Sequence, residues 1–420
     1  MNGPAKPRPR RFNVLASIGV LAATWTVYAQ PVCDPVRHGA RHDGVADDTA
    51  AIQAAIDECA HKGGGVVRLT SGVFVAAPLV LRNRITLDVE AGATLLAIAD
   101  RNRYADANET HGVRALINAY GAEDIAISGS GVIDGNGAPW WDAFRVDKRE
   151  GKPERGRPRL IQFTDCRRVR VSDITLRNSP SFHLAPRRCD DVQIRGVKIF
   201  APADSPNTDG IDPAGSIHVR ISECLIDVGD DNIALKSGAP AASRRFAAED
   251  MTVEDCTFLH GHGMSIGSET NGGVHGVRVR RCTFRNTRNG LRIKSYRGHG
   301  GEVADVSYSD ITMENVETPI LFTAYYPKIP ASDTPQPVTA DTPFYHDIRV
   351  ENLTATGARS AGVIVGLPEK PLSGISLAHV TISAGTGLTV RNASVQISGV
   401  QIKTSRGEPF LVEHGELQRR

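Results

Sequence analysis

Aromatic residues make up only 5% of this 420-residue chain, and its formal net charge is only +2. So balanced a charge removes the electrostatic case for nucleic acid or an anionic membrane surface as the partner. Few aromatics together with 41 glycines suit a chain of many turns and short strands, short of any collagenous or low-complexity composition. No Cys-x-x-Cys spacing joins any of the seven cysteines, so they form no recognisable zinc motif.

A membrane-length apolar run is missing too. The stretch 14–23, extended to Ala29, is short and interrupted by Thr24 and Thr26, which argues against a membrane anchor. Lys6, Arg8, Arg10 and Arg11 precede it, and Val27-Tyr28-Ala29 offers a cleavage pattern before Gln30. Residues 1–29 therefore read as a signal peptide, with secretion to the periplasm or medium expected. The Arg10-Arg11 pair leaves a twin-arginine route open. Export permits disulfides, and Cys33 with Cys59, which bracket the first structural unit, is the leading candidate bridge.

After a turn at Asp43-Gly44, Asp47 or Asp48 can cap a helix running to about Ala60, with Ile52, Ala55, Ile56 and Cys59 as its apolar stripe. Such a helix can cover the open end of a stacked β structure. Strand-like alternation follows from Val66. An apolar-x-apolar phrase, followed closely by a second, then recurs with starts at Val169, Val192, Val219, Met251, Val277, Val306, Ile348, Ile375 and Val395. A period in this range, made of short strands, predicts an all-β solenoid, specifically a right-handed parallel β-helix forming one domain from residue 30 to 420. Cys224, Cys256 and Cys282 fall in one slot of the phrase, as a buried stack of free thiols would. Cys166 and Cys189, about one coil apart, are either bridged or stacked. The segment 330–343 reads as a loop or flap, and the charged tail 413–420 as a mobile end.

Four polar patches recur at coil-like intervals: N-T-D-G-I-D (207–212), G-D-D-N-I-A-L-K (229–236), G-H-G-M-S-I (261–266) and N-G-L-R-I-K (289–294). Asp209, Asp231, His262 and Asn289 each stand two positions before an apolar residue, so stacked coils would align them in one column. Strict alternation would turn Asp231 inward with Ile233, unless the column lies at a bend. Aspartates at β-helix corners often serve only as turn residues. Asp209, Asp230 and Asp231 on adjacent coils cannot all ionise cheaply, and glycoside cleavage needs such a set: one acid for the leaving oxygen and a carboxylate to activate water. His262, between Gly261 and Gly263, is expected to face ligand or the carboxylates. Arg292 and Lys294 project from one strand, about 10 Å from Asp231, and suit an acidic sugar.

These four motifs resemble the signature set of glycoside hydrolase family 28, the polygalacturonases. Further likeness lies in D-G-V-A-D-D-T-A-A-I-Q-A-A-I-D from Asp43, G-N-G-A-P-W-W through Trp141, N-S-P-S-F-H around Phe182 and S-E-T-N-G-G through Gly273. The last run is closest to the bacterial, pectin-degrading branch. The resemblance implies an inverting hydrolase of α-1,4-linked galacturonan, without metal or cofactor. It makes Asp230 the general acid, has Asp209 and Asp231 activate water, and has His262 support them. Arg292 and Lys294 would hold a galacturonate carboxylate, with Asn207 and Tyr326 (in A-Y-Y-P) as further substrate contacts. Asn232 departs from fungal members, many of which have Cys there. A monomer acting endo on homogalacturonan is expected. An exo enzyme, a rhamnogalacturonan hydrolase, a Ca²⁺-dependent pectate lyase and a non-catalytic carbohydrate-binding β-helix stand as alternatives.

Overall fold

Each start of the recurring phrase is the parallel partner of the next. From Val169 through Val192, Val219, Met251, Val277, Val306, Ile348 and Ile375 to Val395, the residues pair in register in a computed structural model of the chain. The structure describes residues 3, 30–109, 112–238 and 246–420. Residues 31–420 form one compact unit, a right-handed parallel β-helix. The expected signal peptide, apart from Gly3, lies outside the described residues. No helix among those residues is long and apolar enough to cross a membrane.

Period-two alternation explains the core. Ile194, Ile221, Val253, Val279, Tyr308, Val350 and Leu377 form an interior column of buried side chains, each aliphatic member contributing roughly 1.5–3 kcal/mol on burial. One earlier coil escaped the sequence reading: Ile125 pairs with Val169, and Ile127 with Val171. Its phrase is broken by Gly129-Ser130-Gly131 before Val132 resumes it, so the spacing signal fades. Cys166 and Cys189, and then Cys224, Cys256 and Cys282, are buried free thiols in matching slots, as the neighbouring pairs Arg167–Asp190, Leu225–Thr257 and Thr257–Thr283 fix.

Corner aspartates are real and separate from the polar column. Asp173, Asp191, Asp255 and Asp310 have φ of 60°, 57°, 55° and 56°, the left-handed conformation that Asp and Asn tolerate best after Gly. Asp209, Asp230 and Asp231 do not adopt it.

The first helix, α1 (Thr49–His61), buries Ile52, Ala55, Ile56 and Cys59 against the first coil, where the expected Cys33–Cys59 disulfide forms. Asp48 occupies the N-cap position, but its carboxylate accepts from the Arg41 and His42 amides instead of the helix. Asp47 accepts from the Thr49 amide at 3.0 Å. Asp43–Asp47 is not a free turn: it pairs irregularly with Gly72–Ala76, while Asp43 accepts from the Val45 and Ala46 amides. The charged tail is also ordered into the last coil, where Glu416–Arg419 pairs with the strand containing Ser394 and Ile397. The loop 330–343 is pinned: Arg297 bonds Asp333 at 2.6 Å, Tyr325 donates to Asp333, and Arg391 holds the carbonyls of Pro330 and Ala331. A second helix, α2 (Ala138–Arg149), buries Trp140 and Trp141, and Trp141 Nε1 donates to the Ser179 carbonyl at 3.1 Å.

Candidate active site

Strand Ile233–Leu235 pairs with Met264–Ile266, which pairs with Asn289–Lys294, and Ile211 bridges Ile233 from the preceding coil. Two residues back along each coil stand Asp209, Asp231, His262 and Asn289, so the column exists. Asp209, Asp231 and His262 lie in the bend before the strands, where alternation does not decide which way a side chain faces, while Asn289 is the first residue of its strand.

Asn232 makes that bend. Fully buried, it donates to the carbonyls of Ile226 (3.0 Å) and His260 (2.8 Å) and accepts from the Gly263 amide (2.9 Å). Its amide ties two coils together on both its donor and acceptor sides, which a thiol at this position cannot do. The Asp230 carbonyl accepts from the His262 amide at 2.9 Å. The same packing requires the flanking glycines. A Cβ on Gly261 (φ 97°) would lie 2.5 Å from the Asp230 carbonyl oxygen, and one on Gly263 (φ 79°) 2.1 Å from that of Asn289.

Asp231 is 1% exposed and carries the densest set of partners. Ser265 Oγ donates to it at 2.9 Å, Arg292 Nη1 at 3.0 Å and Lys294 Nζ at 2.7 Å. The separation of about 10 Å expected for the two cations is a backbone distance across two coils; their long side chains span it. Burial alone would lift the Asp231 carboxyl, but Lys294, Arg292, Lys236 and His262 outweigh it and hold it below the usual carboxylate range. Asp230 Oδ1 lies 2.9 Å from His262 Nδ1 and accepts from the Asp231 amide at 2.9 Å. Arg288, a donor only, approaches His262 Nε2 at 3.4 Å, which leaves Nδ1–H to donate to Asp230.

Asp209 is the opposite case. It is buried on the adjacent coil, and its Oδ1 has no hydrogen-bond partner among the described residues. Burial, then the Asp212 and Asp230 charges, push its carboxyl well above the usual range. Beside it, burial lifts Asp212 to about 6 even though Lys236 Nζ lies 3.3 Å away.

Several members of the site carry no role in the sequence reading. Asp212 and Ser265 share one outward column with Arg292, through Ala234; counting alternation outward from Ile211 finds them. Lys236 also reaches toward Glu269, 3.8 Å away. His183 is fully buried: Nε2 accepts from the Ser179 amide at 3.3 Å, leaving Nδ1–H to donate to the Asp209 carbonyl at 3.0 Å. Burial pushes its pKa down to about 4, so it holds the Asp209 backbone as a neutral ring. Arg157 stacks on Phe144 of α2 at 4.1 Å and donates to the Pro180 and Pro206 carbonyls and to Asn207 Oδ1 (2.6 Å). Asn207, expected as a substrate contact, therefore has its side-chain oxygen engaged by Arg157. Tyr326 is placed with the cations: Lys294 Nζ lies 5.1 Å, and the Arg292 guanidinium 5.6 Å, from its ring.

Asp230, Asp231 and His262 present donor atoms within 4.8 Å of one another, a set that in isolation suits a cation. Arg292 and Lys294 already bond both Asp231 oxygens, and their charges oppose a metal ion there. With one carboxylate held ionised and cations beside it, the arrangement is able to do acid–base chemistry on an anionic ligand.

A parallel β-helix that gathers carboxylates of opposed environment at one bend, with cations beside them, is built as a glycoside-cleaving enzyme. Residues 75–406 match the glycosyl hydrolases family 28, and the chain belongs to that family. It is 32% identical over 370 residues to an endo-polygalacturonase of Pectobacterium carotovorum subsp. carotovorum, covering 83% of this chain and 87% of the relative. Among solved structures, a hyperthermoactive exopolygalacturonase from Thermotoga maritima aligns with a TM-score of 0.78 at 28% identity, covering 90% of this chain and 93% of that one. A polygalacturonase from Erwinia carotovora ssp. carotovora aligns with a TM-score of 0.69 at 28% identity, covering 92% and 97%.

Proposed function

We propose that this chain hydrolyses the α-1,4 bonds of polygalacturonate by a single displacement with inversion, cutting within the polymer. One observation carries the reading: a buried carboxylate, Asp231, is kept ionised by Arg292 and Lys294 beside Asp230 and His262, one coil from a carboxyl whose charge is opposed. Asp230, 23% exposed at its side chain, protonates the leaving oxygen. Asp231 and Asp209 activate water, and the unpartnered Asp209 Oδ1 supplies an acceptor for it. Arg292, Lys294 and Tyr326 hold the neighbouring galacturonate, and His262 orients Asp230. Cations bonded to Asp231 weigh against a calcium-dependent lyase. The endo relative supports internal cutting. The basic start followed by an apolar run, together with the Cys33–Cys59 disulfide, supports export to an oxidising compartment.

Viscometry and reducing-end assays on polygalacturonate, methyl-esterified pectin and rhamnogalacturonan test this. The expected result is a viscosity collapse on polygalacturonate before reducing ends accumulate, unaffected by chelator. Steady release of mono- or digalacturonate with viscosity retained would assign an exo enzyme, and unsaturated ultraviolet-absorbing products a lyase.

A further inference from the structure

An aromatic ring attended by two cations occurs on both sides of the carboxylates. On one side it is Tyr326 with Arg292 and Lys294. On the other it is Phe182, with the Arg159 guanidinium and Lys236 Nζ each 5.2 Å from its ring.

Backbone bonding places this second group on the same column. The Leu160 amide donates to the Phe182 carbonyl, the His183 amide to that of Asp209, and the Gly210 amide to that of Asp231, each at 2.9 Å. Arg159, Phe182, Asp209 and Asp231 therefore stand on four successive coils. Phe182 is one coil, roughly 5 Å, from Asp209 and two from Asp231. Both Arg159 and Phe182 are half-buried. The side-chain hydrogen bond of Arg159 goes to a neutral amide, Gln162 Oε1, while Asp212, Glu109 and Asp209 act on it from a distance, as does the like-charged Arg187. A half-buried guanidinium bonded to an amide keeps donors for a carboxylate.

We propose that Arg159 and Phe182 form a second galacturonate subsite, on the side of the scissile bond opposite Tyr326. Phe182 lies against the apolar face of the sugar, and the Arg159 fork takes its carboxylate. This rests on the reading of the enzyme as a polygalacturonate hydrolase. It adds that the chain is gripped by carboxylate on both sides of the bond, so a galacturonate methyl-esterified at this position is disfavoured.

Two variants test it independently, each checked for wild-type thermal unfolding. Arg159→Gln is expected to raise KM for polygalacturonate roughly tenfold to a hundredfold, the loss of one charge-assisted contact, with kcat little changed. Phe182→Leu is expected to shift the bond cleaved in short oligogalacturonates, a readout that a merely structural role does not move. If wild-type enzyme hydrolyses polygalacturonate while both variants keep its KM and cleavage pattern, the subsite is wrong and the activity stands. If wild-type enzyme releases no reducing ends, the functional reading falls and the subsite with it.

Discussion

Asp209→Asn is expected to be more stable than the wild-type protein at neutral pH and nearly inactive. Its carboxyl is buried near Asp212 and Asp230 and sits well above the usual range, whereas in the unfolded chain it titrates near 3.9. Between those two values the folded state binds the extra proton. Asp209 therefore costs no stability below about pH 4, and costs more as pH rises through the window, by up to about 1.4 kcal/mol per pH unit. Asn removes that slope. Thermal unfolding from pH 4 to 8 should show the variant's advantage opening as pH rises; curves that stay parallel would contradict the burial argument. Activity should fall by roughly 10²–10⁴, because an amide oxygen still accepts from the water but cannot take its proton. The raised pKa admits one other division of roles, with Asp209 holding the proton. In that case an oligogalacturonide with an activated aryl leaving group would restore turnover to Asp209→Asn. With Asp230 as the acid, that rescue belongs to Asp230→Asn instead.

Lys294→Met has a comparably large effect by the opposite electrostatics. Asp231 is kept below the usual range by Lys294 at 2.7 Å and Arg292 at 3.0 Å. A depressed carboxyl contributes stability that is present above its unfolded pKa, near 3.9, and is lost as pH falls through the folded value. Removing Lys294 breaks a buried pair, at a cost of about 3–5 kcal/mol. The deficit should be full at neutral pH and shrink in strong acid. Asp231→Asn added to Lys294→Met should recover part of the loss, since no buried charge is then left uncompensated. Denaturant unfolding at pH 7 checks this; a single variant as stable as wild type would mean that Lys294 does not hold the Asp231 charge.

Much of this architecture is legible in the sequence because a parallel stack repeats its phrase. The starts at Val169 through Val395 align in space as they do in sequence. The polar column followed from the same counting. What was hidden is what periodicity does not encode. The distance of Arg292 and Lys294 from Asp231 depended on side-chain reach and not coil spacing. Gly261 and Gly263 are required because a Cβ at either would strike a carbonyl of a neighbouring segment. Asn232 carries no role in the sequence reading, yet its hydrogen bonds to Ile226, His260 and Gly263 fix the bend on which the division of roles depends. Arg157 and Arg159 lie in a stretch with no periodic signal. Only extending the ladder through Ile161 and Leu184 brings Arg159 into the column.

The central claim is that water, activated at Asp209 and Asp231, attacks in one step while Asp230 protonates the leaving oxygen from the opposite face. Proton NMR of the wild-type enzyme digesting polygalacturonate reads this directly from the new reducing ends. A single displacement predicts that they appear first in the β configuration and then mutarotate. New ends that appear first as the α anomer would mean a covalent intermediate and would contradict the roles assigned to all three carboxylates.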